Sequence, residues 1–341
     1  MSEALVSLKK IKLGGLDQFI YLRTKNIENP ILLYLHGGPG NPIMDLFRKK
    51  HKSLENHFIV VQWEQRGAGK SYSNKISKES MNIEQFLSDL KDLIKYLREK
   101  FNKKKIFLMG HSWGSFLGIL AIKKYPELFH AYIGVGQLFD MVENEKLSYK
   151  LTLKKAYELN DQKAISELKT IGEPFKGMNP PYNSPYKRGY KSRICLFYWM
   201  YRFGGIFYNV NYHKNYKGYL KSLLKIKFLF YFPFLHKEYS FIDKYKIVVG
   251  GTFSMKTMTK EILNVNLFNN DIDLKVPVFF VMGRHDLNTP YLLVKKYFNK
   301  LNAPYKELFC FEKSAHMADI EESEKFNDLL INHILAKIIR S

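Results

Sequence analysis

The stretch Gly110-His111-Ser112-Trp113-Gly114 lies between a short apolar run, 105–109, and a helical pattern, 115–125. The run is compatible with a β-strand, so the stretch is a sharp strand-to-helix turn. A serine in such a turn needs glycine two positions before and after it, because side chains there would collide with the neighbouring strand or helix. The turn predicts a Ser112 hydroxyl raised above a sheet at a helix N-terminus, where developing negative charge is stabilised.

Strands and helices alternate on both sides of this turn. The predicted strands are 6–13, 18–23, 31–35, 58–63, 106–109, 131–135, 276–282 and 305–311, the first two forming a hairpin. The predicted helices are 82–101, 115–125, 141–160, 162–171, 291–301 and 322–339. This alternation predicts an α/β fold with a mostly parallel sheet covered by helices on both faces.

The alternation breaks after Gly136. From 138 to 266 the chain has helical segments, a Pro- and Gly-rich stretch and an aromatic stretch, but no buried β-run of the earlier type. We therefore expect a helical cap (lid) domain over 138–266. It is inserted between two strands of a core domain that comprises 1–137 and 267–341.

Two residues far along the chain complete the set that a serine nucleophile needs. Such a serine requires a base to take its proton and a carboxylate to orient that base. Asp286 follows the apolar run 276–282, and His316 lies between the next strand and the last helix. The order serine, acid, histidine, with each partner on a loop after a strand, fits a triad at one edge of a parallel sheet. We expect Ser112, Asp286 and His316 to meet there.

Two adjacent histidines compete for these roles. His285 is one residue away from the expected carboxylate, and His111 directly precedes the serine. Neither position fits the triad order, so we expect both histidines to be structural.

The glycine-rich loop 36–40, His-Gly-Gly-Pro-Gly, follows the third predicted strand. Its glycines let the backbone approach the serine, so that a backbone N–H can bind the negative oxygen of a tetrahedral intermediate. We expect the N–H groups of Gly38 and Trp113 to form this oxyanion hole, because such a hole normally includes the residue after the serine. The alternative is an ordinary Gly-Pro turn.

The composition excludes several classes of protein. The net charge is +22, but Lys and Arg are spread over the whole length without an RNA-binding signature, so we expect no nucleic-acid partner. No apolar run is long enough for a membrane helix, and the first residues lack a signal-peptide pattern. Cys195 and Cys310 form no metal or redox spacing. We expect a cytoplasmic protein, monomeric, with no metal site and no stable membrane insertion.

Three motifs in order carry a resemblance to a known family. They are the loop 36–40, the stretch 65–71 (Gln-Arg-Gly-Ala-Gly-Lys-Ser) and the stretch 110–114. The chain resembles the proline iminopeptidase branch of the α/β-hydrolases, peptidase family S33, over its core. The resemblance implies an α/β-hydrolase fold with a helical cap, no metal or organic cofactor, and hydrolysis that releases an N-terminal residue, usually proline. It also implies a structural role for Arg66 in supporting the loops around the site.

Two features depart from the family pattern. Glu64 stands where the family usually has Asp before Gln-Arg-Gly. Family members also bind the free amine of the substrate with acidic cap residues near a Trp-rich segment, whereas Arg202 occupies that region here. The segment 141–246 holds twenty Lys and Arg against eight Asp and Glu, a field that disfavours an ammonium group. The candidates for substrate contacts are Glu143, Glu145, Glu173 and Trp199.

The resemblance favours, as the substrate, a short peptide or amide with an N-terminal proline or another small apolar residue. One alternative is a carboxylesterase or lipase-like enzyme with the same triad, which the basic, aromatic cap favours. Another is a binding protein of the same fold that performs no chemistry. The stretch 223–232 mixes lysines with aromatic and apolar residues, so surface contact of the cap with a membrane is a further alternative to simple packing.

Overall fold

An eight-stranded sheet forms the centre of the molecule. The computed structural model describes residues 3–186, 189–208, 239–267 and 273–340. The strands are β1 (Leu5–Leu13), β2 (Leu16–Thr24), β3 (Ile31–Leu35), β4 (Ile59–Glu64), β5 (Ile106–His111), β6 (Phe129–Val135), β7 (Val278–Gly283) and β8 (Lys306–Phe311).

The sheet has the order β1-β2-β4-β3-β5-β6-β7-β8. β1 and β2 form the predicted antiparallel hairpin, and β2 also pairs antiparallel with β4. All neighbouring pairs from β4 to β8 are parallel, which confirms the mostly parallel sheet. Because parallel strands end at the same edge, the loops after β3, β5, β7 and β8 lie together there.

Helices cover the sheet and form the insertion between β6 and β7. They are α1 (Met44–Lys50), α2 (Ile83–Lys100), α3 (Trp113–Lys124), α4 (Met141–Glu158), α5 (Gln162–Ile171), α6 (Tyr190–Arg202), α7 (Phe241–Leu263), α8 (Tyr291–Lys300), α9 (Ala318–Glu321), α10 (Ser323–Asp328) and α11 (Ala336–Arg340). Between α10 and α11 runs a π-helical stretch, Leu329–Leu335, and 3-10 turns occupy Lys52–Asn56, Gly69–Ser71, Lys78–Ser80 and Pro126–Leu128.

Side chains of the parallel strands alternate between two apolar layers. Leu33 of β3 belongs to the same buried cluster as Phe86 of α2. Its neighbour Leu32 belongs to the opposite cluster, with Phe47 of α1 and Leu330 near the C-terminus. This alternation follows from the period of two in a strand, and burying each such leucine contributes about 1.5–3 kcal/mol. The sheet is therefore covered on both faces, as the apolar runs predict.

The helices α4 to α7 form a helical cap inserted between β6 and β7. The two ends of the insertion meet in an antiparallel bridge between Asp140 and Asn266. The Asn266 side-chain amide donates to Asp140 Oδ2 at 2.6 Å, and the backbone N–H of Leu267 donates to the carbonyl of Phe139 at 3.3 Å. The bridge lies close to the expected boundaries at 138 and 266. The division into two domains stays a prediction, which this bridge supports.

The helical pattern differs from expectation at several places, among them the helices α1 and α6, which were not predicted. The single helix predicted over 322–339 is instead a succession of short helices with a π-helical stretch in the middle. The helix α7 was not predicted, although its start carries a signal. Ser240 accepts a hydrogen bond from the N–H of Asp243, whose carboxylate accepts from the N–H of Ser240, forming a capping box.

The stretch 223–232, the candidate for contact with a membrane surface, lies outside the described residues. Within the described part of the chain, no helix combines the length and the apolar character needed to cross a membrane.

Candidate active site

Ser112 occupies the turn between β5 and α3 with a φ of 54°, in the left-handed region that few residues other than glycine adopt. The glycines around it are required by close contact. A Cβ on Gly110 would lie 2.3 Å from the carbonyl oxygen of Gly114, and one on Gly114 would lie 2.1 Å from that of Leu35. The backbone N–H of Ser112 donates to Val135 of the neighbouring strand at 3.0 Å. The turn is therefore held by the sheet on both sides.

Asp286 and His316 meet although 30 residues separate them. Asp286 lies on the loop after β7, and His316 lies on the loop after β8. His316 Nδ1 is 2.9 Å from Asp286 Oδ2, and both residues are buried. The structure thus brings together the predicted acid and base at the edge of the sheet where β5 presents Ser112.

The carboxylate of Asp286 is held by three further hydrogen bonds. Its Oδ1 accepts from the backbone N–H groups of Asn288 and Thr289, each at 2.7 Å. Its Oδ2 accepts from the hydroxyl of Thr289, also at 2.7 Å. Because an ionised carboxylate only accepts hydrogen bonds, the proton of a neutral His316 ring lies on Nδ1 and the lone pair on Nε2. This is the tautomer that a general base for Ser112 requires.

Ser112 and His316 line one cavity of about 440 Å³, together with Gly38 and Trp113. In the described part of the chain, the Ser112 hydroxyl makes no hydrogen bond. His316 Nε2 instead lies 2.9 Å from the side-chain nitrogen of Asn288. Ser112 and His316 therefore share a pocket, while the side-chain amide of Asn288 lies at Nε2 of His316.

The loop 36–40 lies directly against the turn of Ser112. A Cβ added to Gly37 would be 3.3 Å from the Cβ of Ser112. His36 fixes the loop: its Nδ1 is 2.8 Å from the carbonyl of Gly37, and its Nε2 accepts from the N–H of Gln65 at 3.2 Å. Burial lowers the pKa of His36 to about 4, so the ring is neutral at pH 7.

The other predicted oxyanion donor is the backbone N–H of Trp113, at the first position of α3. The N–H groups in the first turn of a helix have no hydrogen-bond partner within the helix. The helix therefore orients the N–H of Trp113 and leaves it able to donate to another group. The indole of Trp113 is buried and donates to Gln65 Oε1 at 2.9 Å. The Gln65 side chain also donates to the backbone carbonyl of His36 at 3.0 Å, so one side chain connects Trp113 with the 36–40 loop.

Arg66 and Glu64 are buried behind these loops. Arg66 contacts both carboxylate oxygens of Asp89, at 2.8 and 2.9 Å, and the carbonyl of Gly14 at 3.0 Å. This is a structural arrangement. Burial raises the pKa of Glu64 to about 7, although it accepts hydrogen bonds from Tyr239 and the N–H of Lys70.

Of the predicted substrate-contacting carboxylates, the structure places only Glu145 on the Ser112 cavity. Its Oε1 accepts from Arg193 at 3.0 Å, while its Oε2 is buried and makes no hydrogen bond within the described residues. Glu143 and Glu173 line a different cavity, between α4 and α8. Trp199 is buried in the cap, where its indole donates to Glu167 at 2.9 Å, and it does not line the Ser112 cavity.

The two competing histidines have other partners. His111 Nε2 lies 3.0 Å from the backbone carbonyl of His316, and the two rings are 4.8 Å apart. Burial lowers the pKa of His111. His285 stacks on the ring of Tyr208 at 4.3 Å. His111 thus supports the loop that carries His316, and neither His111 nor His285 takes the place of His316 beside Asp286.

Sequence reasoning missed Asn288, Thr289 and Arg193. A weak signal exists for Thr289, because a threonine three residues after a loop aspartate fits a local side-chain hydrogen bond. The contact between Asn288 and His316 joins two loops and leaves no local pattern. Among the described residues, no group of three or more His, Cys, Asp or Glu side chains is placed to hold a metal ion.

The chain is similar to known proteins over nearly its whole length. A family profile described as "Serine aminopeptidase, S33" matches residues 51–171. The "Probable aminopeptidase YbaC" of Bacillus subtilis (strain 168) is 32% identical over 335 residues, which cover 97% of each chain. The chain belongs to the S33 branch of the α/β-hydrolases.

More distant relatives support the same assignment. A "Proline iminopeptidase" of Saccharolobus solfataricus is 23% identical over 341 residues, covering 94% of this chain and 89% of the relative. Among solved structures, "Crystal structure of VinJ" superposes with a TM-score of 0.64 at 16% identity, over 97% of this chain and 98% of that one. At that identity the superposition shows the α/β-hydrolase fold alone.

Proposed function

We propose that this protein is a serine hydrolase that releases N-terminal proline or another small apolar residue from short peptides and amides. The observation that carries the proposal is Glu145, a cap carboxylate on the wall of the Ser112 cavity with one buried oxygen that makes no hydrogen bond within the described residues. Two relatives that are named as an aminopeptidase and a proline iminopeptidase support the same class of substrate.

The proposed chemistry proceeds through an acyl-enzyme. Ser112 attacks the substrate carbonyl while His316 takes the hydroxyl proton, and Asp286 holds the imidazole through Nδ1. The N–H groups of Gly38 and Trp113 bind the negative oxygen of the tetrahedral intermediate. His316 then gives its proton to the leaving amine as the C–N bond breaks, and a water molecule hydrolyses the acyl-enzyme by the same sequence. No step requires a metal or an organic cofactor.

Glu145 supplies the contact for the free amine of the substrate. Its Oε1 is paired with Arg193, and its buried Oε2 makes no hydrogen bond within the described residues. A charge-assisted hydrogen bond to a buried carboxylate is stronger than a neutral one, and an ammonium group would satisfy an oxygen that is otherwise unpaired. The surrounding wall includes Leu138, Phe197 and Met200, which suit a small apolar side chain or a prolyl ring.

A carboxylesterase is the second candidate, and Arg193 favours it. Its guanidinium reduces the negative charge that Glu145 offers to an amine, and the excess of Lys and Arg over 141–246 acts in the same direction. An uncharged acyl ester does not depend on this field. The ratio of turnover for a prolyl amide and a short acyl ester therefore separates the two candidates. Ester cleavage without aminopeptidase activity would reject the peptidase.

Covalent labelling tests the nucleophile before any substrate is known. A fluorophosphonate probe should label the protein, and Ser112→Ala should abolish labelling while the circular dichroism spectrum stays unchanged. Absence of labelling in the unaltered protein, together with absence of turnover, would favour a binding protein of the same fold.

Glu145→Gln tests the amine contact, with Glu143→Gln as the matched control on the same helix. Glu143 is half exposed and pairs with Lys146. We expect Glu145→Gln to raise KM for a prolyl amide about tenfold or more, because a hydrogen bond to a charged group is lost. KM for a substrate without a free amine should stay the same, and Glu143→Gln should change neither value. Equal changes for both substrates would reject amine binding by Glu145.

A further inference from the structure

The side chain of Asn288 occupies the nitrogen through which His316 would act on Ser112. Its Nδ2 lies 2.9 Å from His316 Nε2, and Asn288, Ser112 and His316 line the same cavity. A triad in its reactive arrangement has the serine hydroxyl at this nitrogen. The amide and the serine therefore compete for one lone pair.

The direction of this hydrogen bond follows from the other side of the ring. Asp286 accepts a hydrogen bond at Nδ1, so a neutral ring carries its only proton there and presents a lone pair at Nε2. The amide of Asn288 must then donate. Such a donor stabilises the neutral ring and opposes a proton on Nε2, because the imidazolium would face an N–H group.

The backbone of Asn288 is held by three hydrogen bonds, while its side chain makes only the contact with His316 among the described residues. Its carbonyl accepts from the side chains of Asn144, at 2.6 Å, and Ser148, at 3.2 Å, both on the cap helix α4. Its N–H donates to Asp286 at 2.7 Å. The side-chain oxygen of Asn288 makes no hydrogen bond within the described residues. Rotation of the amide therefore breaks only the contact with His316.

We propose that Asn288 is a positioning residue for His316, an inference that rests on the proposed hydrolase function. In the free protein its amide holds the ring with the Nε2 lone pair facing the cavity. When the Ser112 hydroxyl takes Nε2, the amide withdraws. Because Asn288 is anchored to α4, the cap and the base are joined through one residue.

Other charged and titratable groups around the ring remain the same in all variants of this residue. The neighbouring elements supply Asp286 at Nδ1, His111 beside the ring, Asp319 beyond His111, Glu321 on the following helix, and Glu145 and Arg193 across the cavity. A difference between variants at position 288 therefore reports the amide alone.

The test is the pH dependence of kcat/KM, measured with a prolyl amide or, if the protein is an esterase, with a short acyl ester. The base must be unprotonated, so activity rises with pH on the acid limb. In Asn288→Leu the donor is lost and protonation of Nε2 becomes easier. We expect the midpoint of the acid limb to move up by about 0.5–1 pH unit. In Asn288→Asp a carboxylate favours the imidazolium, and we expect an upward move of about 1–3 units.

Ser148→Ala is the matched control, because it loosens the same backbone anchor and leaves the Asn288 amide in place. We expect its midpoint to coincide with that of the unaltered protein. A loss of kcat/KM by the same factor at every pH in the Asn288 variants, without a moved midpoint, would mean that the residue is merely structural and would overturn the proposal.

Nuclear magnetic resonance of the full chain with ¹⁵N-labelled histidine gives a readout that does not depend on turnover. The His316 signals are assigned by their absence in His316→Gln. Titration of the ring should move to higher pH in Asn288→Leu and Asn288→Asp, and an unmoved titration in both would overturn the proposal. If the unaltered protein shows neither labelling nor turnover, the hydrolase function fails, while this titration still reports whether Asn288 acts on the ring.

Discussion

Two histidine–aspartate pairs lie in the same half of the molecule and differ in what their rings can do. In the cavity, Asp286 is at Nδ1 of His316, and an Asn288 N–H is at Nε2. In the core, Asp319 lies 3.5 Å from Nε2 of His51, with both side chains fully buried. The residue types are the same, but their surroundings are not.

The third partner of the core pair is also an asparagine, but its side-chain oxygen, and not its nitrogen, faces the histidine ring. Asn327 uses its NH₂ to donate to the carbonyl of Lys50 at 3.0 Å, so its oxygen faces His51 Nδ1, at 2.7 Å. His51 therefore donates at Nδ1, while its buried Nε2 lies 3.5 Å from the Asp319 carboxylate without a hydrogen bond among the described residues. An amide oxygen thus faces the ring of His51, whereas an amide nitrogen faces the ring of His316. The orientation of the asparagine amide distinguishes the two pairs.

The largest expected effect is that of Asp286→Asn on turnover. The substitution favours the wrong tautomer of His316, and we expect kcat to fall by up to about 10⁴-fold, with the melting temperature nearly unchanged. Steady-state kinetics and thermal unfolding of the same preparation measure both. Turnover close to that of the unaltered protein would mean that Asp286 is not the acid of the triad.

We expect Asp319→Asn to have the opposite pattern, with a large loss of stability and little change in turnover. It removes the carboxylate that lies 3.5 Å from the buried His51 ring, and removing one partner of a buried charged contact costs about 3–5 kcal/mol of the free energy of unfolding. Urea unfolding measures this loss. At temperatures where the variant is folded, we expect kcat within about tenfold of the unaltered value. A drop in kcat comparable to that of Asp286→Asn would make the core pair part of the chemistry.

The core pair also predicts a pH dependence of stability. Burial raises the pKa of Asp319, but the contact with His51 and the proximity of His111 lower it by more, so it lies below the ordinary 3.8. A lowered carboxyl pKa contributes stability above the unfolded value, and that stability is lost as the pH falls through the folded value. Below about pH 4 the unaltered protein should lose stability that Asp319→Asn never had. If the free energies of unfolding of the two proteins fell in parallel as the pH decreased, this prediction would be contradicted.

The smallest effect is expected at a third pair, on the surface. His333 Nε2 lies 2.6 Å from Glu307, with the histidine side chain 44% exposed. Exposed ion pairs contribute little, so Glu307→Gln should change the free energy of unfolding by no more than about 0.5–1 kcal/mol and leave kcat unchanged. A larger loss would show that distance alone, rather than burial and the third partner, determines what such a pair contributes.

Much of the fold was predictable because its signals are local. Apolar runs and paired glycines mark the strand and helix around Ser112. Ser112, Asp286 and His316 could be chosen because each follows a strand that is itself predictable from an apolar run. The final helix was misjudged because its apolar spacing continues through a π-helical stretch, which has no separate sequence signal. The helix α7 was missed because its capping box was not followed by a clear amphipathic pattern.

The cap side of the site was less predictable. Glu143 and Glu145 are two residues apart on α4, so they point in different directions around the helix axis. Which of them faces the cavity depends on how α4 packs, and the sequence leaves that rotation open. The contact of Asn288 with His316 likewise depends on how two loops after different strands approach each other.

The bridge between Asp140 and Asn266 has a consequence for the evolution of this fold. Since the insertion leaves and rejoins the core at one point, its length and composition can change without straining the strand ends that carry Ser112, Asp286 and His316. Changes in the cap and changes at these three residues therefore fall on separate parts of the gene.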